Sequence, residues 1–433
     1  MTEGPIISGT PEAASFVGRH RDKFYAEADR VKGSKLDIHT GYPELVEAHT
    51  TLHEKLPGLY TEAVMDPEFD PKVSLRRLQE FFDMSDAALP FSSASYALGS
   101  AIETMTQPGD GIALVRPAWD IYPQLVTDAG DGGRTIVEID LRVPSQFRDS
   151  IKKAEAQGVK IGAIVLNIPR NPDMHTFSPE ELEQIIATAD EYGITVIYDE
   201  VFGFYNPDAH VEEVQDDDGN RTGNKLVHDV QRAQSSVVVR DTGKLLPSPP
   251  FPKVALLDMN EGALEKGGDR LTERHNQRHF VDPNIDMRIL EKILHDEGLP
   301  QLVEDIRSLT DKNSTALREA LGSFGVQFRH AGPFAIVPIG EWGMPADYIT
   351  RYLDELGLEV RKSTDFKTRE NFSYIRVPLV KSEDKMQKIA HDLVDKLEGI
   401  QTVMRLRGIL AAAKQGIYQP SMVDAPDIDQ TQS

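Results

Sequence analysis

The chain has 433 residues and no cysteine, and its 47 Lys+Arg stand against 70 Asp+Glu for a formal net charge of −23. That acidity argues against nucleic acid and anionic membranes as partners, and the lack of thiols excludes disulfides, thiolate nucleophiles and cysteine metal sites. The length allows two lobes, and no apolar stretch approaches the roughly 18 residues that cross a bilayer.

The N-terminal "MTEGPIISGTPEAASF" lacks the basic and apolar regions of a secretion signal, so a cytoplasmic setting is expected. Next, "FSSASYALGSAIETM" gathers Ser92, Ser93, Ala94 and Ser95 ahead of a helix whose apolar face is Leu98, Ile102 and Met105. Small residues at a helix start leave backbone N–H groups and hydroxyls able to surround a phosphate. Strand and helix patterns then alternate. Continuous apolar runs at Gly111–Pro117, Arg134–Asp140, Ile161–Pro169, Ile194–Glu200, Ser235–Asp241 and Lys253–Met259 read as strands buried on both faces. Among the helices between them, "SPEELEQIIATADEYG" carries its own punctuation. Ser178 is the N-cap, Pro179 opens the helix, Glu181 closes a capping box, Leu182, Ile185, Ile186 and Ala189 form the stripe, and Gly193 stops it.

Glu212–Lys225 and the tail from Tyr418 read as peripheral loop. Past residue 285 the texture shifts to amphipathic helices at 287–298 and 299–325. Short strands in "FAIVPI", "LEVRK" and "SYIRVPL" follow, then a last helix at 382–400. The expectation is an α/β fold: a mostly parallel central sheet with helices on both faces, plus a smaller α+β domain. The expected division is an N-terminal segment 1–50 packing on the small domain, a large domain 51–285, the small domain 286–415 and a tail 416–433.

Ligands of open α/β sheets gather outside the carboxyl ends of the strands. "RPAWDIYP" puts Trp119 just after a strand, as a core aromatic or a stacking surface. "LNIPRNPDMHTF" ends a strand with Asn167, and its prolines fix a tight loop that holds Asn171 as a donor. "VIYDEVFGFY" ends the next with Asp199 and Glu200, where a carboxylate is costly unless a cation meets it. "VVVRDTGKLLPSPPFPKVALL" sets Lys244 on a turn at a buried strand end, where an ammonium has no packing value. The order is phosphate loop, aromatic, asparagine, aspartate, lysine, with gaps of 28 residues from Asn171 to Asp199 and 45 from Asp199 to Lys244. Pyridoxal 5'-phosphate needs each of these: an anion cradle, a flat stacking partner, a donor to its phenolic oxygen, a carboxylate for its ring nitrogen and a lysine for the imine.

On these motifs the chain resembles the fold-type-I enzymes of the class I/II aminotransferase superfamily, from about residue 35 to 400. The resemblance implies that Ser93, Ala94 and Ser95 take the phosphate, with Thr242 among the cofactor contacts, and that Trp119 stacks on the ring. It also puts Asn171 at the asparagine of the "NPTG"-type motif, Asp199 at the ring nitrogen and Lys244 at the imine. Arg376 in "YIRVPL" matches the arginine for the substrate α-carboxylate, and Gly41 and Asn171 fall beside the substrate. A homodimer acting on an L-α-amino acid through a Schiff base and quinonoid is the implied enzyme.

Four positions depart from that pattern. The motif reads "NPDM", Phe202 replaces a tyrosine, Asp241 replaces a serine, and Lys253 stands in for the arginine that grips the phosphate. A phenylalanine cannot donate to the phenolic oxygen, so Asn171 does so without it, and the bias toward transamination weakens. The "DTGKLLP" stretch is similar to a divergent natural-product subgroup that includes arginine oxidases and hydroxylases dependent on the same cofactor. That subgroup's active-site histidine corresponds to His39 in "LDIHTGYPE", a residue equally readable as a structural loop histidine. The alternatives to transamination are oxygen-dependent oxidation or hydroxylation of an arginine-like substrate, or elimination, addition or cyclisation on an S-adenosylmethionine-like one. The 12 histidines have no metal-ligand spacing.

Overall fold

The computed structural model describes residues 36–37, 43–65, 70–130, 132–141, 144–228, 230–247, 250–278, 284–322, 326, 328–338, 358–359, 361–362 and 374–414. The chain divides into two compact units, one of Met1–Asp37, Glu341–Val360 and Lys388–Ser433, the other of Ile38–Gly340 and Arg361–Gln387. In the first, Leu36–Asp37 pairs in parallel with Leu358–Glu359. The second holds the residues of interest.

Its core is a seven-stranded sheet built on the six apolar runs: five lie inside it, whereas Thr135–Ile139, expected to be buried on both faces, is an edge strand with Thr135 and Glu138 exposed. Across the sheet the order is Leu89–Phe91, Ala255–Met259, Ser236–Asp241, Thr195–Asp199, Ile161–Asn167, Gly111–Val115 and Thr135–Ile139. Ala255–Met259 runs against both its neighbours and the other pairings are parallel, the α/β sheet expected. Alternate residues feed two cores. Ile112, Val165, Ile197, Val237 and Val239 pack with the helix Ala94–Met105, whereas Ala113, Ile164, Leu166 and Val196 pack with the helices Gln146–Ala156 and Pro179–Tyr192. Burial of Leu98, Ile102 and Met105 contributes about 1.5–3 kcal/mol each to seating the first of those helices.

Local signals hold at the predicted helix Pro179–Tyr192. The Ser178 hydroxyl accepts from the Glu181 amide at 3.2 Å, and the Glu181 carboxylate accepts from the Ser178 amide at 2.9 Å. Gly193 ends the helix at φ 64, a conformation that costs a residue with a Cβ. Elsewhere Gly267 lets the helix Glu261–Arg278 approach Ala94–Met105, since a Cβ there would stand 2.8 Å from the Thr104 carbonyl.

The segment expected as loop at Glu212–Lys225 is instead an antiparallel hairpin of His210–Gln215 and Arg221–Val227. Polar contacts rather than an apolar run hold it. Asn224 Nδ2 donates to the carbonyls of Leu294 and Asp296, and the Asp216 carboxylate accepts from the Asn220 amide at 2.8 Å to close the turn. A four-stranded antiparallel sheet joins Arg329–Ala331, Phe334–Pro338, Tyr374–Pro378 and Arg361–Lys362 in that order, so "LEVRK" splits between two sheets. The last helix runs Glu383–Lys414, past the 382–400 expected, and the tail from Tyr418 lies outside the described residues.

On the sheet face away from Ala94–Met105, a cavity of about 470 Å³ is lined by Lys225, His228, Arg232, Arg240 and Asp258 among others. Its charges are already paired: Lys225 with Asp83 at 2.8 Å, and Arg232 and Arg240 with the buried Glu200 at 2.7 and 2.8 Å. No helix of the described residues is long and apolar enough to cross a membrane.

Candidate active site

Three neighbouring strands in the middle of the sheet end on polar residues, Asn167, Asp199 and Asp241, at their carboxyl ends. Asn167 pairs with Asp199 and Asp199 with Val239, so the parallel register sets Asn167 and Asp199 level and carries Asp241 two residues further. Asn167 then ties two loops together. Its Oδ1 accepts from the Asn171 amide at 2.6 Å and its Nδ2 donates to the Asp199 carbonyl at 2.9 Å. Asn171 is thereby held beside Arg376, whose Nη1 donates to Asn171 Oδ1 at 2.8 Å. With that oxygen engaged, the side-chain nitrogen Nδ2 of Asn171 is left as the donor. Arg376 is buried rather than on the surface, its guanidinium 4.3 Å from the Phe334 ring centroid.

Asp199 is 1% exposed. Tyr122 donates its hydroxyl to Asp199 Oδ2 at 2.5 Å, and the Val201 amide donates to Oδ1 at 3.2 Å. Burial pushes the Asp199 carboxyl up to about 6 against the pull of those two donors. Its neighbour Glu200, on the opposite face, goes the other way. Burial alone would raise it, and Arg240 and Arg232 hold it below the ordinary carboxylate range. The cation expected beside each strand-end carboxylate is therefore present for Glu200, whereas Asp199 meets a phenol and an amide. Lys244 acts on Asp199 only as a nearby charge, and a protonated pyridine nitrogen would suit the carboxylate as a hydrogen-bonded cation.

Trp119 is half-buried and stands edge-on to Tyr122, ring centroids 5.6 Å apart at 85°. Sequence reasoning singled out Trp119 and passed over Tyr122, whose signal is its place three residues on, in "RPAWDIYP".

Lys244 follows Asp241 in a tight turn where the Thr242 carbonyl accepts from the amides of Leu245 and Leu246 at 3.0 and 2.8 Å. The amine lies 5.5 Å from the Phe202 ring centroid and lines a narrow recess with Pro43, Phe202, Pro333, Phe334 and Val380. Burial, with Lys253 and Arg376 adding to it, brings its pKa down to about 8 despite Asp241 and Asp199. Part of the amine is thus unprotonated near neutral pH, as a nucleophile must be. The Asp241 carboxyl is pushed up by burial while Lys253 and Lys244 pull it down, and Gly243 donates its amide to it at 3.0 Å. Phe91, Ala255 and Asp241 stand in register across three strands, which sets Asp241 level with the start of the serine-rich segment. Lys253 lies over the turn, its Cε 3.0 Å from where a Cβ on Gly243 would be.

Ser93 caps the helix Ala94–Met105, accepting from the Tyr96 amide at 3.4 Å; Ala94 is buried and Ser95 half-buried. The Thr242 hydroxyl is fully buried with no hydrogen-bond partner among the described residues, a cost that a ligand oxygen would remove. These residues could hold pyridoxal 5'-phosphate, with Lys244 toward its aldehyde, Asp199 toward its ring nitrogen, the Asn171 side-chain Nδ2 toward its phenolic oxygen, and Thr242 with the Ser93 helix start toward its phosphate. His39 and Gly41 lie outside the described residues.

Residues 60–241 match the family described as aminotransferase class I and II. An aspartate aminotransferase of Musicola paradisiaca is 26% identical over 202 residues, 41% of this chain and 48% of that protein. The chain spans less than half the length of the first curated relatives it matches. Among solved structures, aspartate aminotransferase from Thermus thermophilus with maleate superposes with a TM-score of 0.65 at 16% identity, covering 90% of this chain and 99% of that one. MppP soaked with the product 2-ketoarginine gives a TM-score of 0.61 at 18% identity, covering 84% of this chain and 99% of that one. The chain has the fold-type-I aminotransferase fold, with a site that fits pyridoxal 5'-phosphate.

Proposed function

We propose that the protein is a pyridoxal-phosphate-dependent enzyme of the aminotransferase class I/II type that acts on an L-α-amino acid in specialised natural-product metabolism. The single observation behind this is the meeting of Lys244, Asp199 and the Arg376–Asn171 pair at 2.8 Å, at the carboxyl ends of the central strands. When bound, the cofactor supplies an electron sink for the charge left when a bond to the substrate Cα breaks. Asp199 holds the proton on the ring nitrogen, and Tyr122 orients Asp199. Arg376 would grip the α-carboxylate, and the Asn171 side-chain Nδ2 would donate to the phenolic oxygen. The Lys244 amine would move the proton at the substrate Cα. Phe202 and Phe334 keep water from the amine. By resemblance the enzyme works as a homodimer, and the N-terminal sequence supports a cytoplasmic setting.

A second reading is favoured by Phe202, which lies 5.5 Å from the Lys244 amine and has no hydroxyl to give. Without that donor the cofactor is less committed to transamination, and oxidation of an arginine-like substrate, or elimination or cyclisation on an S-adenosylmethionine-like one, becomes the competing outcome. Mixing the protein with a panel of amino acids, arginine included, separates the two. Accumulation of the pyridoxamine form without oxygen uptake supports transamination, and oxygen uptake with release of an oxo acid supports the second reading. If no amino acid disturbs the cofactor spectrum, both fail. Phe202→Tyr restores a donor and is expected to lower the pH midpoint of the lysine-linked cofactor absorbance and raise the share of pyridoxamine formed; an unchanged midpoint argues against this role for position 202.

A further inference from the structure

We propose that Tyr205 and His49 are positioning residues that clamp the main chain of the cofactor lysine by holding two consecutive carbonyls, those of Lys244 and Leu245. The inference rests on the reading of Lys244 given above. Tyr205 donates its hydroxyl to the Lys244 carbonyl at 2.9 Å, and His49 Nε2 lies 3.0 Å from the Leu245 carbonyl. His49 Nδ1 accepts from the Val46 amide at 3.2 Å, so the ring hydrogen sits on Nε2 and the Leu245 contact is a donated bond from a neutral imidazole. Both side chains are buried.

The two donors come from different directions. Tyr205 ends the 3-10 turn Gly203–Tyr205, which follows Phe202 just past the strand bearing Asp199, so its bond couples the lysine turn to the segment that carries Phe202. His49 ends a short 3-10 turn, Glu47–His49, whose lead-in also meets the site: Pro43 lines the Lys244 recess, and Glu44 pairs with Lys381 at 2.6 Å, five residues past Arg376. Inside the turn, the Thr242 carbonyl already takes the amides of Leu245 and Leu246. Inner and outer polar groups are thus both engaged. A lysine side chain has four rotatable bonds, so the amine's reach to a bound aldehyde is only as well defined as its Cα. Buried carbonyls need donors in any fold. Here the donors are supplied by the segments that bring Asp199 and Pro43 to the same amine.

Tyr205→Phe removes one hydroxyl; His49→Leu removes both ring contacts, and His49→Gln returns a donor near the Nε2 position. In cofactor-free protein, the first two substitutions are expected to speed hydrogen exchange of the Leu245 and Leu246 amides. In loaded protein, they are expected to release cofactor to a competing amine about fivefold faster, the scale of one lost buried hydrogen bond, and to move the pH midpoint of the lysine-linked absorbance. His49→Gln recovers part of both. Melting temperatures read in parallel identify a structural effect: a lowered melting temperature with wild-type exchange, release rate and midpoint overturns the proposal, as does no change in any of them. Borohydride reduction of the unsubstituted protein distinguishes the other failure. If it leaves no label on Lys244, the reading of the lysine falls, and this inference with it.

Discussion

Tyr122 and Asp199 illustrate how a buried pair sets a pH range. A donor to a carboxylate favours its charged form, so removing the Tyr122 hydroxyl lets burial raise Asp199 further above about 6. Tyr122→Phe is therefore expected to shift the acid limb of cofactor binding or turnover to higher pH, with activity recovering as pH rises. A pH-rate profile whose acid limb stays in place argues against the assignment. On the basic side Lys244 acts as a nucleophile when unprotonated, so its capture of added pyridoxal phosphate should accelerate as pH climbs through about 8. Capture that keeps rising about tenfold per pH unit through 9, with no levelling above about 8, contradicts a depressed lysine pKa. Asn171, Asp199 and Lys244 were legible in the sequence because each lies at, or within four residues past, the end of an apolar run and carries a group that packing does not explain. Tyr122, Tyr205 and His49 were not. They act through hydrogen bonds to other residues, and a tyrosine or histidine among apolar neighbours reads equally as core.

Among the elements, the inner strands and the helix Pro179–Tyr192 were legible for a physical reason: burial on both faces makes the runs mostly apolar, and caps have fixed chemistry, whereas the edge strand Thr135–Ile139 is apolar in sequence but partly exposed. Ser178→Ala should cost about 1 kcal/mol of stability by breaking the capping box, and leave the cofactor spectrum unchanged. Thermal and denaturant unfolding check the first part; a spectral change would mean that this helix reaches the site. The hairpin His210–Val227 escaped because its alternation is between exposed charges and a few inward groups, and side chains such as Asn224 hold it by hydrogen bonds. Composition named those residues loop formers. The contacts made by residues far away in sequence decided otherwise.

At the scale of the molecule, the acidic balance of −23 describes the surface and says little of the fold, whereas the order of the site motifs along the chain carried the architecture. Large-domain cofactor groups and Arg376, 132 residues beyond Lys244, lie in one compact unit, Ile38–Gly340 with Arg361–Gln387. The domain boundaries read at 50, 285 and 415 cut the chain differently, and we keep them as a proposal for limited proteolysis, which should cleave first near those positions. Light scattering at twice the chain mass is the expected result for a homodimer, and the monomer mass would refute it. The central claim is the covalent one. The most direct test is to reduce the pyridoxal-phosphate-loaded protein with borohydride, digest it and sequence the labelled peptide by mass spectrometry. Label confined to Lys244, and lost in Lys244→Ala, is the result expected; label on another lysine, or on none, would contradict the account.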